Sequence, residues 1–319
     1  MMPKSNFLQK YSLILVVYSL VFVLITVGSI YSERFLTLRN LTNVLRQAAY
    51  LGTAALGEML VILTAGIDLS IGSLVKLSVL VSAILMDGNP DNVMMAVGLT
   101  LALGLGVGLL HAFFINELNL SPFVVTFASL FILQGISLTI TTKPIGRSSK
   151  DFLLLYSQKF LEVPIIVYFF GLVTLLIAFL LNMTVFGKHI YAVGGNPTVA
   201  ELSGIPVKKI RYGVYGICSL LAAVTGLLWL MRMGVGDPVI GKELELNAII
   251  AVVIGGTSLF GGRGTVTGVI GGVLLLTFTD NLLVVLGVNQ FVSGLVKGLI
   301  FVAAVALYKP SESFQRATA

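Results

Sequence analysis

The sequence has 319 residues, of which 57% are hydrophobic and 11% are charged. A soluble domain carries charge on roughly 25% of its residues, so this composition excludes an ordinary soluble protein and indicates an integral membrane protein. The basic residues behind the net charge of +6 are scattered over loops between apolar segments, which argues against nucleic acid as a partner. The apolar segments are long and continuous, whereas strands of a membrane barrel alternate apolar and polar residues over about 10 positions.

Ten apolar segments, taken in chain order, are predicted to form membrane-spanning helices. The first has no charged residue and matches the ~20 residues that a helix needs to cross, so we expect an uncleaved first span. The eighth is too short to cross a ~30 Å hydrocarbon core at 1.5 Å per residue, and a half-spanning or broken helix is expected there. The prediction is an all-α, polytopic membrane bundle that forms a single transmembrane domain over residues 1–319. The ten segments are 11–30, 41–63, 71–85, 93–115, 123–140, 165–181, 212–230, 247–260, 266–286 and 291–307.

The orientation of these segments depends on the basic loops. Lys208, Lys209 and Arg211 form the clearest basic cluster, and they lie in a loop beside predicted spans. Loops rich in Lys and Arg tend to remain on the cytoplasmic side. We therefore expect both termini in the cytoplasm. If the eighth segment does not cross, the orientation of every later segment is reversed.

The most polar stretch between spans covers residues 187–211. Asn196 can cap a helix, Pro197 suits a first helical turn, and Gly204 followed by Pro206 would end it. The resulting helix has about two turns and is too short to span a membrane. The pattern fits two interpretations equally: a cytoplasmic docking element, or an ordinary surface loop.

Five ionisable residues fall inside apolar segments, and each is costly there, by at least ~2.5 kcal/mol on insertion scales, unless it faces a cavity or a partner. Asp68 and Ser70 precede a predicted helix, so Asp68 either lines a pathway or caps that helix. We expect Glu58 to pair with Lys76, and Lys297 to extend toward the membrane interface. The five residues are Glu58, Asp68, Lys76, Asp280 and Lys297.

Glycine is concentrated in two regions, where it predicts sharp turns or close helix packing. Gly104 and Gly108 form one pair, and a second set occupies 255–272. The segment 65–72 also shows a faint similarity to 255–262, and paired interruptions of this kind point to a transporter pathway. Cys218 is expected to fill core space, and His111 and His189 to lie at the membrane interface.

No enzyme active site is predicted, because no nucleophile is grouped with a base. Residues 236–242 have the glycine spacing of a phosphate-binding loop, but Glu243 replaces the required Ser or Thr and no strand precedes them. No nucleotide site and no metal site are therefore assigned to this chain.

Three sequence segments carry a family resemblance. LTAGIDLSIGSL, IYAVGGNPTVAELSGIPVKKIRYGVYG and ELNAIIAVVIGGTSLFGGRGTVTG resemble the permease subunits of ribose- and xylose-type ATP-binding cassette importers. The similarity extends from about residue 38 to 307 and keeps the family's order and spacing. It implies a permease that imports a monosaccharide such as ribose, xylose or galactose across the bacterial cytoplasmic membrane.

The resemblance also implies partners and residue roles. The partners would be a second permease, identical or different, two ATPase subunits that bind ATP and Mg, and an extracytoplasmic sugar-binding protein, all in or beside membrane lipid. The helix at 194–204 would be the coupling helix that contacts an ATPase subunit, which favours the docking interpretation. The residues expected to couple are Gly194, Gly195, Asn196, Glu201 and Gly204; the candidates for the translocation path are Glu58, Asp68, Ser70 and Asn247.

Departures from the family pattern leave the specific sugar open. Glu58 stands where an uncharged residue is more frequent, and Asn247 stands in place of Asp. The other departures are Ala65, Leu282 and Val284. An alternative function is an ion- or proton-coupled secondary transporter with a relay of Glu58, Asp68 and Lys76. A membrane scaffold without transport activity is the third hypothesis.

Overall fold

A computed structural model describes residues 7–307, and within that range the protein is almost entirely α-helical. A short 3-10 helix, Pro90–Asn92, precedes α4, and two two-residue strands, β1 (Lys159–Phe160) and β2 (Val163–Pro164), form an antiparallel ribbon. The helices are α1 (Phe7–Tyr31), α2 (Leu38–Leu63), α3 (Ile71–Met86), α4 (Val93–Glu117), α5 (Pro122–Ile140), α6 (Lys150–Ser157), α7 (Ile165–Met183), α8 (Val185–Gly195), α9 (Pro197–Leu202), α10 (Val207–Met233), α11 (Leu244–Ile254), α12 (Val266–Val285) and α13 (Gln290–Leu307).

Six of these helices are long and apolar enough to cross a membrane: α1, α4, α5, α7, α10 and α12. The helices α3 and α11 are apolar but shorter. The prediction of an all-α membrane bundle is thus confirmed, whereas the count of about ten spans stays a prediction. Only 17% of the apolar window of α1 or α5 is buried, against 72% for α10, so α10 is central and α1 and α5 face outward.

The core consists of two groups of helices that share α2. In the first, α10 packs against α2, α3 and α4; in the second, α12 packs against α1, α2 and α11. A Cβ atom on Gly108 would overlap the backbone of Tyr215, and one on Gly272 would overlap the carbonyl of Ala251. Glycine therefore permits direct contact between helix backbones in both groups, as its spacing predicts.

Contacts between distant segments define two opposite ends of the bundle. At the α8–α9 end, Lys208 at the start of α10 forms a 2.6 Å ion pair with Glu117 at the end of α4. At the α6 end, the backbone of Ile145 pairs with that of Gly236. The helices α4 and α10 therefore run in opposite directions between the same two ends.

The segment 234–243 returns from the α6 end toward the middle of the bundle. Gly236 lies against Leu80 and Ala83 near the end of α3, whereas Gly241 lies against Gly72 in its first turn. The helix α11 then begins beside the start of α3 and has 11 residues, a length of ~16 Å. It occupies the first part of the segment predicted at 247–260, and the rest of that segment is loop.

The similarity between 65–72 and 255–262 corresponds to a shared way of ending a helix. After α2, Gly66 donates to the carbonyl five residues earlier at 3.1 Å and Ala65 to the carbonyl three residues earlier at 2.9 Å. After α11, Thr257 and Gly256 repeat both bonds at the same distances. This pair of bonds is the Schellman motif. In it Ala65 occupies the same position as Gly256, whereas the sequence similarity aligned Ala65 with Gly255, one residue earlier.

Candidate functional site

The loop between α2 and α3 is fixed by the Asp68 carboxylate. Its Oδ1 accepts hydrogen bonds from the Ser70 N–H at 2.9 Å and the Ser70 hydroxyl at 2.6 Å. The Asp68 N–H donates to Glu58 Oε1 at 3.2 Å. Ser70, not Asp68, occupies the N-cap position of α3, and it makes no side-chain cap bond. The alternative that Asp68 caps α3 is therefore wrong, because the carboxylate stabilises the loop before the helix.

Side chains of three further helices surround the other Asp68 oxygen and its loop. Oδ2 lies 3.8 Å from His111 Nδ1 on α4 and 3.8 Å from Cys218 Sγ on α10. On α5, Ser129 lies 2.7 Å from His111 Nε2, and Thr126 donates to the loop backbone at 2.9 Å. His111 is 3% exposed, so its predicted interfacial position is wrong, whereas Cys218 is a core residue as predicted.

This Asp68 cluster is a closed part of the core. Glu58, Asp68 and Ser70 are each 0% exposed. Paired polar groups at such depth hold helices in a fixed arrangement, since breaking a bond would leave a buried donor or acceptor unsatisfied. The sequence named Glu58, Asp68 and Ser70 as path candidates but did not predict the contact between Glu58 and Asp68. The position of His111 could not be deduced without knowing that α4 crosses this loop.

Two predicted charge arrangements are wrong. The ionic neighbour of Lys76 is Glu245 on α11 and not Glu58, and the Glu245 carboxylate lies over the first turn of α3. Lys297 forms a 2.8 Å ion pair with Asp280 and does not extend alone toward an interface. Both partners come from segments remote in sequence, so local patterns did not indicate them.

Asn247 lies away from the Asp68 cluster, beside a polar cleft. The main cleft has a volume of about 740 Å³ between α2, α12, α13 and the end of segment 234–243. Asn247 lines an adjoining recess of about 240 Å³ that shares Glu243 and Lys297 with the main cleft. The polar residues of the main cleft are Gln47, Lys242, Glu243, Asp280, Ser293 and Lys297.

The helix α9 has the local structure that its sequence predicts. The Asn196 side chain accepts from the Val199 N–H at 3.1 Å, Pro197 is the first helical residue, and Gly204 follows the helix with φ 81°. Leu202 remains 85% exposed. The helix therefore presents apolar surface that none of the described residues covers.

The helix α8 was missed in the sequence. It covers Val185–Gly195 and is capped by Thr184, whose hydroxyl accepts from the Gly187 N–H at 3.1 Å. Threonine is a preferred N-cap residue, so Thr184 could have indicated the start of α8.

The end of α8 contacts both interrupted segments, and we call this contact the Gly194 junction. A Cβ atom on Gly194 would overlap the carbonyl of Leu63, the last residue of α2. The same carbonyl accepts from the Gly262 N–H at 3.0 Å. The Tyr191 hydroxyl on α8 donates to the Gly264 carbonyl at 3.0 Å, and burial raises the pKa of Tyr191, which keeps this donor protonated. Movement of α8 would therefore act on both helix breaks.

Comparison with known proteins gives a family and close relatives. The family described as branched-chain amino acid transport system / permease component matches residues 40–305. The ribose import permease protein of Escherichia coli (strain K12) is 38% identical over 288 residues, which cover 89% of each chain. That of Bacillus subtilis (strain 168) is 36% identical, covering 90% of this chain and 89% of the relative. The D-allose transport system permease protein of Escherichia coli (strain K12) is 34% identical, covering 88% and 86%. No solved structure matches.

Proposed function

The chain belongs to this family of transport-system permeases, and from that premise we propose that it imports a monosaccharide of the ribose or allose type. It is the permease subunit of an ATP-binding cassette sugar importer, an integral protein of the cytoplasmic membrane and not an enzyme. The observation that carries the proposal is the 38% identity to a ribose import permease over 89% of the chain. The ion-coupled alternative finds no support among the relatives.

The proposed assembly contains this permease as a single transmembrane domain, paired with a second permease that is identical or closely related. Two ATPase subunits bind ATP and Mg on the cytoplasmic side, and a sugar-binding protein delivers the substrate on the opposite side. The α8–α9 end faces the ATPase subunits, because it carries the basic cluster Lys208, Lys209 and Arg211.

We assign coupling to α9 and the loop at about 187–211. The exposed side chains of Val199, Glu201 and Leu202 form its uncovered surface. A six-residue helix with such a surface has few contacts of its own, and a partner that binds Leu202 would shield it from water. Displacement of α9 would then reach both helix breaks through the adjoining Gly194 junction.

We assign the polar cleft to the sugar path. A neutral sugar presents hydroxyl groups in many directions, and amide, carboxylate and ammonium groups can bind such hydroxyls. Gln47, Glu243, Asn247 and Lys297 supply these groups along one side of the chain. Three buried residues affect this path without lining the cleft, because they fix the break between α2 and α3: Glu58, Asp68 and Ser70. A second permease would close the open side of the cleft.

Sugar uptake in intact cells tests this function. Deletion of the permease should abolish ATP-dependent uptake of labelled ribose or allose, and expression of the wild-type chain should restore it. Xylose and galactose serve as comparison substrates. Unchanged uptake of all four sugars after deletion would contradict the proposal and favour a scaffold.

A further inference from the structure

A cluster of aromatic rings and arginines lies at the α6 end, opposite the end that carries α9. Tyr50 stacks on Trp229 with ring centroids 4.9 Å apart. The Arg232 guanidinium lies 5.0 Å from the Trp229 ring centroid, and the Arg46 guanidinium lies 4.5 Å from that of Tyr156. These distances allow cation–π attraction, which holds both guanidinium groups in place.

The arginines of this cluster lack an anionic partner within residues 7–307. Among the described residues, neither Arg46 nor Arg232 forms an ion pair. Arg46 donates one long bond, 3.4 Å, to the Tyr156 carbonyl. In the part of the chain that the structure describes, its buried Nε has no hydrogen-bond partner, and neither has the buried indole N–H of Trp229. A buried donor without a partner is destabilising, so the cluster is incomplete without an acceptor.

An apolar cavity of about 350 Å³ adjoins the same cluster. It lies between α4, α6, α7 and α10, and Tyr156 lines it as well as contacting Arg46. Leu228 and Met231 on α10 line the cavity and flank Trp229 in sequence. Apart from the Tyr156 hydroxyl, its wall consists of apolar side chains. Tyr156 thus joins the apolar chamber to Arg46, and Trp229, which lies between two lining residues of α10, carries Arg232 on its ring.

We propose that Arg46, Arg232 and the adjoining cavity form a binding site for an anionic phospholipid, with its phosphate at the arginines and an acyl chain in the cavity. Guanidinium groups bind phosphate oxygens through paired, charge-assisted hydrogen bonds. Trp and Tyr side chains are enriched at the depth of lipid headgroups, so the aromatic residues of the cluster suit a position beside a headgroup.

The two parts of the site together favour a lipid over other anions. A free phosphate would use the arginines but leave the cavity empty. An acidic surface of a protein partner would do the same, because it could not enter a chamber between four helices. The site requires only that the chain is embedded in a membrane, and it is independent of the sugar that is carried.

Native mass spectrometry of the purified full-length chain tests the site. Phosphatidylglycerol is titrated against phosphatidylcholine, and bound lipid is counted per chain. The wild type should retain one phosphatidylglycerol in preference to phosphatidylcholine. Arg46→Gln and Arg232→Gln should each weaken its retention at least about tenfold, the effect of one lost charged hydrogen bond. Lys143→Gln, which removes an exposed cation from the same end, should not.

A cavity-filling variant separates the acyl-chain contact from the charge contact. Val97→Trp adds volume on α4 inside the chamber and should reduce lipid retention while both arginines remain. Equal thermal midpoints of all variants establish that they are folded. Unchanged phosphatidylglycerol retention in the two arginine variants or in Val97→Trp would overturn the proposal. Loss of affinity for the sugar-binding protein with lipid retention unchanged would overturn it in favour of protein docking.

Discussion

Asp68 shows how a costly residue is stabilised by the chain itself. Its carboxylate lies among Ser70, His111 and Cys218 with no exposed surface, and Glu58 accepts a bond from its backbone. Burial of a charge is tolerated where hydrogen bonds replace water. The residue therefore serves mainly to organise the break between α2 and α3.

Asp68→Ala should destabilise the protein by about 2 kcal/mol or more, because the buried Ser70 N–H and hydroxyl would lose their acceptor. Asp68→Asn retains an acceptor oxygen, so it should cost less stability than Asp68→Ala. Thermal unfolding followed by the fluorescence of Trp229, the single tryptophan, measures the difference. Asp91→Ala, at an exposed site, is the control. Equal stability of Asp68→Ala and the control would contradict this role.

Ala65 is strained where its structural counterpart is not. Ala65 has φ 60°, a left-handed conformation that costs a residue with a Cβ about 1–2 kcal/mol, whereas Gly256 adopts φ 87° freely. Ala65→Gly should therefore stabilise the protein by about 1 kcal/mol, and Gly256→Ala should destabilise it by a similar amount. The two changes have opposite expected signs in the same unfolding measurement. A shift of the same sign in both would show that the two helix ends are not equivalent.

At the scale of elements, the Gly194 junction is the contact through which α8 and α9 can act on the core. Gly194→Ala should reduce ATP-driven uptake about tenfold or more, because its Cβ would overlap the Leu63 carbonyl and separate α8 from α2. Gly135 on α5 supplies a control outside the coupling segment, since it is exposed and a Cβ there meets nothing within 4 Å. Gly135→Ala should transport like the wild type. Equal uptake by the two variants would exclude the junction from coupling.

The exposed surface of α9 gives a separate prediction for the ATPase contact. Glu201→Ala, Gly204→Ala and Leu202→Asp should uncouple ATP hydrolysis from sugar uptake while the spans remain inserted. Leu161→Asp is the matched control, because Leu161 is 79% exposed at the opposite, α6 end. Hydrolysis and uptake are measured on the same vesicles. Full sugar-stimulated uptake in the α9 variants would contradict the docking assignment.

Local elements could be predicted from the sequence, but their partners could not. The cap and first turn of α9 depend on Asn196 and Pro197, which are adjacent in the chain, and so their pattern was sufficient. The proximity of Glu245 to Lys76 depends on how segment 234–243 folds back along α3, and no local sequence pattern indicates that path. The same reason explains why His111 was not placed beside Asp68.

At the scale of the whole molecule, two similar groups of helices meet at one end. The pair α2–α3 and the pair α11–α12 each contain a Schellman-type break, and α1 packs on α12 as α10 packs on α3. Both breaks contact α8, whereas the polar cleft opens on the side formed by α2, α12, α13 and the end of segment 234–243. In the proposed importer, one cytoplasmic movement would therefore shift both groups and alter the cleft between two permeases.

Uptake into vesicles tests the central claim most directly. The permease is reconstituted with and without its ATPase subunits, and labelled ribose or allose is supplied with the sugar-binding protein on the opposite side. We expect accumulation only when ATP and the ATPase subunits are present on the α8–α9 side, and none when a proton gradient is the sole energy source. Accumulation by the permease alone, driven by a proton gradient, would contradict the account and establish an ion-coupled transporter.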